Sequence, residues 1–245
     1  MNKNTFHGIL LSGAGSLWWG IIGVLYFKSV SFVDPIELII HRTVWTSFLL
    51  LFTISIYSKW NDVLLILKNI KKTLILFICG ILIVTNWFTW IYAVVTNRLV
   101  DASFGYYIFP ILSILFGFLF FKEKLNKKKI ISVILVLISI IYLLFNFESI
   151  PWTGLTVAIS WSMYNLLRKK INVDTDIGLF IESLLIFPVA LVIFYLIFQN
   201  NLNDFSLSNP SLMALLLLAG PMTVIPLFLY IKGVQLSGLG PSGMI

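Results

Sequence analysis

An all-α polytopic membrane protein is the fold class this sequence predicts, and three observations carry it. Apolar residues make up 59% of the chain and charged residues only 11%, against about 25% charged in an ordinary soluble domain. Mean hydropathy is +1.00, so the chain cannot cover a surface that faces water. The apolar residues fall in runs of about 20, the length that about 30 Å of hydrocarbon needs and far longer than a barrel strand. Lysine and arginine gather in alternate connections between the runs, as the topology of an inner-membrane bundle requires.

Eight runs are visible, at residues 8–27, 36–57, 73–95, 101–121, 129–146, 152–167, 177–198 and 211–236, the sixth being the shortest. Pro35, Pro151 and Pro210 stand at run starts, where the missing N–H leaves no bond unmade. The first run continues past a signal-peptide core and no small-residue cleavage site follows, so it reads as a retained span. Lys59, Lys68, Lys71 and Lys72 follow the second run, Lys122, Lys124, Lys127, Lys128 and Lys129 the fourth, and Arg168, Lys169 and Lys170 the sixth. With Lys3 and Lys232 that is one side of the membrane; the other side holds Lys28 and Arg98, and Arg42 lies within the second run. The N-terminus is therefore expected in the cytoplasm of a multi-pass protein of the cell inner (plasma) membrane. The net charge of +7 is a topology signal on this reading, and no nucleic-acid partner is expected. Cys79, the single cysteine, sits in an apolar run and reads as a small core residue.

Residues 91–107 and 229–245 align weakly, pairing Tyr92 with Tyr230, Asn97 with Gln235 and Gly105 with Gly243; the first and sixth runs align with Trp18 opposite Trp161. The matches keep one order, which makes the repeat unit five helices. An odd unit places its second copy upside down in the membrane. The expected division is a first repeat at 1–147 and an incomplete second repeat at 148–245, about eight of ten helices in all. On this expectation the chain is truncated at Ile245.

Ionisable residues inside the membrane are the informative positions, since each costs about 2.5–3.5 kcal/mol at a helix centre on insertion scales. In PIELIIHRTVW, Glu37, His41 and Trp45 share a face, with Arg42 beside it. Glu37 is close enough to the helix start to reach water. Glu182, in LFIESLL, falls near the level of His41 and Arg42 when Asp34 and Asp176 are aligned. Arg42 and Glu182 are therefore expected to approach each other or to face one cavity, as a packing ion pair or as a substrate- or proton-responsive site. Aromatic and amide residues form a second set: Trp18, Trp19, Asn86, Trp87, Trp90, Tyr106, Tyr107, Trp161, Tyr164 and Asn165, with Trp18, Trp87 and Trp161 away from helix ends. Interface belts place Trp and Tyr near the ends, so these suit the wall of a cavity for an organic solute, with core packing as the alternative. Ser12, Ser16 and Gly20 form a small-residue stripe for close helix approach. Pro110, Pro188, Pro221 and Pro226 interrupt apolar runs and free carbonyls there.

HRTVW, NWFTWIYAV, DASFGYYIFPI and FFKEKL, in that order, resemble the EamA branch of the drug/metabolite transporter superfamily, and in particular its RarD-type proteins; RKK and the Glu182 helix agree. The resemblance covers essentially the whole chain. It implies ten helices in two inverted five-helix repeats, cytoplasmic termini, and a central cavity used for alternating access by small organic metabolites or drugs. Phe109 stands where similar proteins have a polar Asn, which alters the cavity wall. Without the last two helices one cavity wall is missing unless a partner or a second copy of the chain supplies it.

A secondary transporter is the function these features favour. A membrane-embedded binding or sensory protein is the runner-up, disfavoured by loops too short for an output segment, and an inactive transporter fragment is a further alternative. No GxSxG, HExxH or Walker A pattern occurs, and His7 and His41 lie far apart, so neither an enzyme, a metal site nor a cofactor is expected.

Overall fold

The computed structural model describes residues 3–145, 150–200, 203–206 and 208–245. All its regular elements are helices. Seven of them are α1 (Lys3–Ser29), α2 (Pro35–Ile56), α4 (Ile70–Val95), α5 (Leu99–Phe121), α6 (Lys127–Leu144), α8 (Thr175–Gln199) and α9 (Pro210–Ser237). With α7 (Trp152–Ile171) they account for all eight apolar runs. Two short helices complete the set, α3 (Trp60–Lys68) and α10 (Leu239–Gly243). The boundary expected between 147 and 148 falls outside the described residues.

Helix ends follow local chemistry. Asp34 caps α2, accepting from the amides of Ile36 (2.8 Å) and Glu37 (3.4 Å), with Pro35 as first helical residue. Asn69 caps α4 through the Lys72 amide, and Asn209 with Pro210 repeats the device at α9. Pro221 has no N–H for the Leu217 carbonyl, and α9 is interrupted at Leu218, four residues after Ala214, for that reason. The loop expected after the second run is instead occupied by α3, whose Val63 is buried and whose Trp60 ring meets Phe180 edge-on at 5.7 Å.

Six helices are long and apolar enough to cross a membrane by length and composition, namely α1, α2, α4, α5, α8 and α9. Two of the eight runs fall short. The apolar part of α6 is shorter, and α7 carries Ser160, Ser162, Asn165 and Arg168, all buried. Protein surrounds α7: it packs against α4, α5 and α9, so its polar groups meet protein rather than lipid.

The bundle is closed by glycine at its tightest crossings. A side chain at Gly105 or Gly154 would run into the other's backbone, joining α5 to α7. Gly8, Gly15 and Gly233 do the same between α1 and α9, Gly80 lets α4 approach Ile186 of α8, and Gly220 lets α9 approach the backbone of Trp45 on α2. The expected stripe is split. Ser12 bonds Ser242 (3.0 Å) at the α1–α10 contact, whereas nothing lies within 4 Å of a side chain added at Gly20, which faces open space. Cys79 is buried in the main apolar cluster with Leu76, Phe180 and Ile181.

Candidate functional site

A cavity of about 490 Å³ lies between α1, α2, α4, α5, α7, α9 and α10, within the usual range of small-molecule sites. Of the residues singled out from sequence, Arg42, Asn86, Trp87, Trp90, Tyr106 and Trp161 line it. Phe109 also lines it, its ring 6.2 Å from that of Trp161, so the aromatic replacement does sit in the wall.

Two further aromatic residues complete the wall: Trp19, a member of the aromatic set read from sequence, and Tyr230, which is not. Trp19 meets Trp161 edge-on with ring centres 5.7 Å apart, and Tyr230 stands 5.3 Å from Trp161 and 6.1 Å from Trp19. Trp19 rather than Trp18 faces inward, on the α1 face that also presents Ser16, Gly20, Val24 and Phe27; α1 passes through a π-helical turn at Trp18–Gly23. Such a turn rotates everything beyond it relative to an α-helical count. Trp18 is placed outside the lining, its Nε1 buried without a hydrogen-bond partner. Phe27 and Trp90, 5.1 Å apart, form the wall toward the end away from the lysine-rich loops.

Arg42 is 5% exposed and is held on three sides. Its guanidinium carbon lies 4.1 Å over the Trp87 ring and 5.2 Å from that of Phe27, and Nε donates to Thr223 Oγ1 at 3.1 Å. Asn86 holds α4 to α7, its amide nitrogen donating to the Val157 carbonyl and to Ser160 Oγ, each at 3.1 Å.

Four other expected site residues lie elsewhere. The Arg42–Glu182 approach is not formed: Glu182 Oε1 lies 3.3 Å from Arg168 Nε, and Oε2 accepts from the Tyr164 hydroxyl at 3.0 Å. Nor do the two share a depth: α2 and α8 run antiparallel, with His41 beside Phe194, Phe48 beside Phe187 and Lys59 paired with Asp176, so Glu182 lies nearer the Lys59 end of α2 than Arg42 does. It turns toward α7, where Arg168 offers a buried counter-ion, and Tyr164 follows it away from the cavity. His41 belongs to a separate relay. Trp45 Nε1 donates to His41 Nδ1 at 3.0 Å, and Nε2 stands 3.4 Å from Glu37. Glu37 does not reach water, being 0% exposed; it accepts from the amides of Asp204 and Phe205 and so straps the segment before α9 over α2. Tyr107 is 55% exposed on the outer side of α5.

The lysine-rich end is stitched shut by contacts that sequence reading missed. Glu123, just past α5, accepts from Lys169 Nζ (2.7 Å) and from the amides of Leu239 (2.9 Å) and Gly240 (3.0 Å), joining α5, α7 and α10. Burial alone would raise the Glu123 carboxyl, but the Lys169 ammonium and the two amides outweigh it and hold the group below its usual range. Lys59 bonds Asp176 at 2.5 Å, tying α2 to α8, and Gln235 bridges Thr175 and the Val173 carbonyl. An acid inside the lysine run KEK was the available signal for Glu123.

Known proteins agree with this architecture. Residues 6–145 match the EamA-like transporter family. Protein RarD of Salmonella typhi is 34% identical over 228 residues, covering 93% of this chain and 77% of the relative. Protein RarD of Escherichia coli (strain K12) is 32% identical over 241 residues, 97% of this chain and 81% of its own. An uncharacterized transporter of Bacillus subtilis (strain 168), YojE, is 32% identical over 237 residues, 96% and 78%. With the family matched over more than half its length and these relatives over most of it, the chain is a RarD-type member of the EamA-like transporter family, a multi-pass membrane transporter.

Proposed function

We propose that the protein is a secondary transporter that carries a small organic solute across the inner membrane by alternating access, with the N-terminus in the cytoplasm. The observation that carries this is the aromatic cavity around Arg42, set between helices that come from both halves of the chain. Its wall extends toward Phe27 and Trp90, while Glu123–Lys169 and Lys59–Asp176 close the opposite, lysine-rich end. That is the arrangement of a carrier open to the outside with its cytoplasmic gate shut.

Two inverted repeats, 1–147 and 148–245, supply the moving parts. The packing is consistent with them. Exchanging the halves turns the α1–α9 contact into α7–α4, and α4–α8 into α9–α2, and all four contacts occur. Gly80 against Ile186 and Gly220 against Trp45 are the same crossing in each half. Alternating access then follows when the ties at one end open as those at the other close.

Reconstitution of the chain into proteoliposomes and counterflow with radiolabelled organic solutes tests this. Saturable flux that Trp161→Ala abolishes is expected. Saturable binding without flux of any solute would instead favour a membrane-embedded receptor.

A further inference from the structure

Every other buried charged side chain named above has its opposite. Glu182 has Arg168, and Glu37 has His41 and two amides. Among the described residues the ion pairs are His41–Glu37, Lys59–Asp176, Arg98–Asp101, Arg168–Glu182 and Lys169–Glu123. Arg42 is in none of them. Its one hydrogen bond uses Nε, toward Thr223. The terminal nitrogens have no protein acceptor among the described residues, and the side chain is part of the cavity wall. A guanidinium stays protonated in proteins, so a permanent positive charge faces a mostly aromatic chamber with no counter-ion among the described side chains.

We infer that the solute carries the missing charge: the site takes an organic monocarboxylate with a flat aromatic or cyclic body and without an ammonium group. This rests on the cavity being the solute site. With Nε bound to Thr223 and the guanidinium carbon 4.1 Å over the Trp87 ring, the terminal nitrogens are the pair left to bind, and they match the two oxygens of one carboxylate. The rest of the wall sets the remaining limits. Among the described residues, Arg42 is the only one in the lining with a charged side chain. A phosphate or dicarboxylate would therefore bring a second negative charge that no cation meets. No acidic side chain among the described residues lines the chamber either, so an amino-acid zwitterion would find no side-chain partner there for its ammonium. The rings of Trp19, Trp87, Trp161 and Tyr230 supply flat apolar faces for the body of the solute.

The test is a fluorescence titration of the full chain in nanodiscs, read through the cavity tryptophans. The probes are 3-phenylpropionate, its neutral amide 3-phenylpropionamide, and L-phenylalanine. Saturable quenching by the carboxylate, with affinity about 10- to 100-fold above the amide and the amino acid, is expected from the charge-assisted bonds lost. In Arg42→Gln the carboxylate falls to the level of the amide, and in Arg42→Lys, which keeps charge but not the fork, it recovers only in part. Equal affinity of carboxylate and amide for the unaltered protein overturns the inference whether or not the variants fold. So does no saturable carboxylate binding, or tighter binding of phenylalanine. Arg42-dependent binding without carboxylate counterflow in proteoliposomes would leave the site assignment standing and remove the transport reading instead.

Discussion

Replacing Glu182 by Leu should be among the most damaging single changes in the bundle, and the reason is its partner. Arg168 is 0% exposed, with Nε 3.3 Å from Glu182 Oε1 and Nη2 donating to the Thr175 carbonyl at 3.1 Å. It also fills the space over Gly178, so it cannot move aside without repacking α7 against α8. Removing the carboxylate leaves a guanidinium that is buried, charged and unable to shed its proton, at a cost of about 3–5 kcal/mol. For a domain of this size that is a fall in melting temperature of about 6–20 °C. Arg168→Met should cost less, because a carboxyl group left alone can be buried in its neutral form. Arg168→Met with Glu182→Leu should restore most of the loss, since an apolar pair often matches or exceeds a buried ion pair. Thermal unfolding in detergent, followed by size-exclusion chromatography of the heated samples, gives all four corners of the cycle. A Glu182→Leu loss no larger than that of Arg168→Met, or a double variant as damaged as the sum of the singles, would refute the reasoning.

Three further outcomes are checkable. Glu123 is held below the usual carboxylate range, so its contribution to stability is complete above about pH 4.5 and is lost as the pH falls through its lower folded value; acid should therefore destabilise the unaltered protein more than Glu123→Gln, measured as melting temperature between neutral and acidic pH. Trp19→Ala should weaken solute binding by about tenfold or more through loss of an aromatic face, whereas Trp18→Ala should leave the titration within about twofold. In a Cys79→Ser background, a cysteine at Asn97 should react with a membrane-impermeant maleimide on intact cells and one at Lys124 only after the cells are broken, as opposite ends of α5 require.

What could be read from sequence was the quantity that adds up along one helix. Hydropathy summed over 20 residues located all eight long helices, because no single residue decides it. The α3 helix escaped because nine residues with lysines at both flanks look like a connection, although Val63 and Trp60 anchor it. Relations between helices were the weaker part of the site assignment. Aligning Asp34 with Asp176 placed Glu182 at the depth of Arg42, but α2 and α8 run antiparallel, so equal counts from those two acids lead inward from opposite ends. Trp18 was singled out through its alignment opposite Trp161, and an alignment says nothing of which of two adjacent rings faces the cavity. Arg168 was read as one of three loop cations in RKK, since counting basic residues for topology treats each as solvated. Its burial is a property of the assembled bundle.

The two arginines therefore make opposite demands on a transport cycle, and this gives a last expected result. Arg168 has its counter-ion within the protein, so on the proposed cycle a movement that keeps the Arg168–Glu182 pair intact buries no new charge. Arg42 finds its counter-ion only in the solute. When the loaded cavity closes, the charge is matched; when the empty cavity closes, the guanidinium is sealed with only Trp87, Phe27 and Thr223 against it. An unmatched cation within the membrane costs about 2.5–3.5 kcal/mol on insertion scales, of which a desolvated ring contact returns about 2. The remainder, about 1 kcal/mol, slows return of the empty carrier by about fivefold. Exchange of one carboxylate for another should thus run about fivefold faster than net efflux in proteoliposomes, and external chloride, too small to reach the aromatic walls, should not close the gap. Arg42→Gln, with nothing left to neutralise, should bring the two rates together. Net efflux as fast as exchange in the unaltered protein would mean that Arg42 has a counter-ion of its own in the closed state.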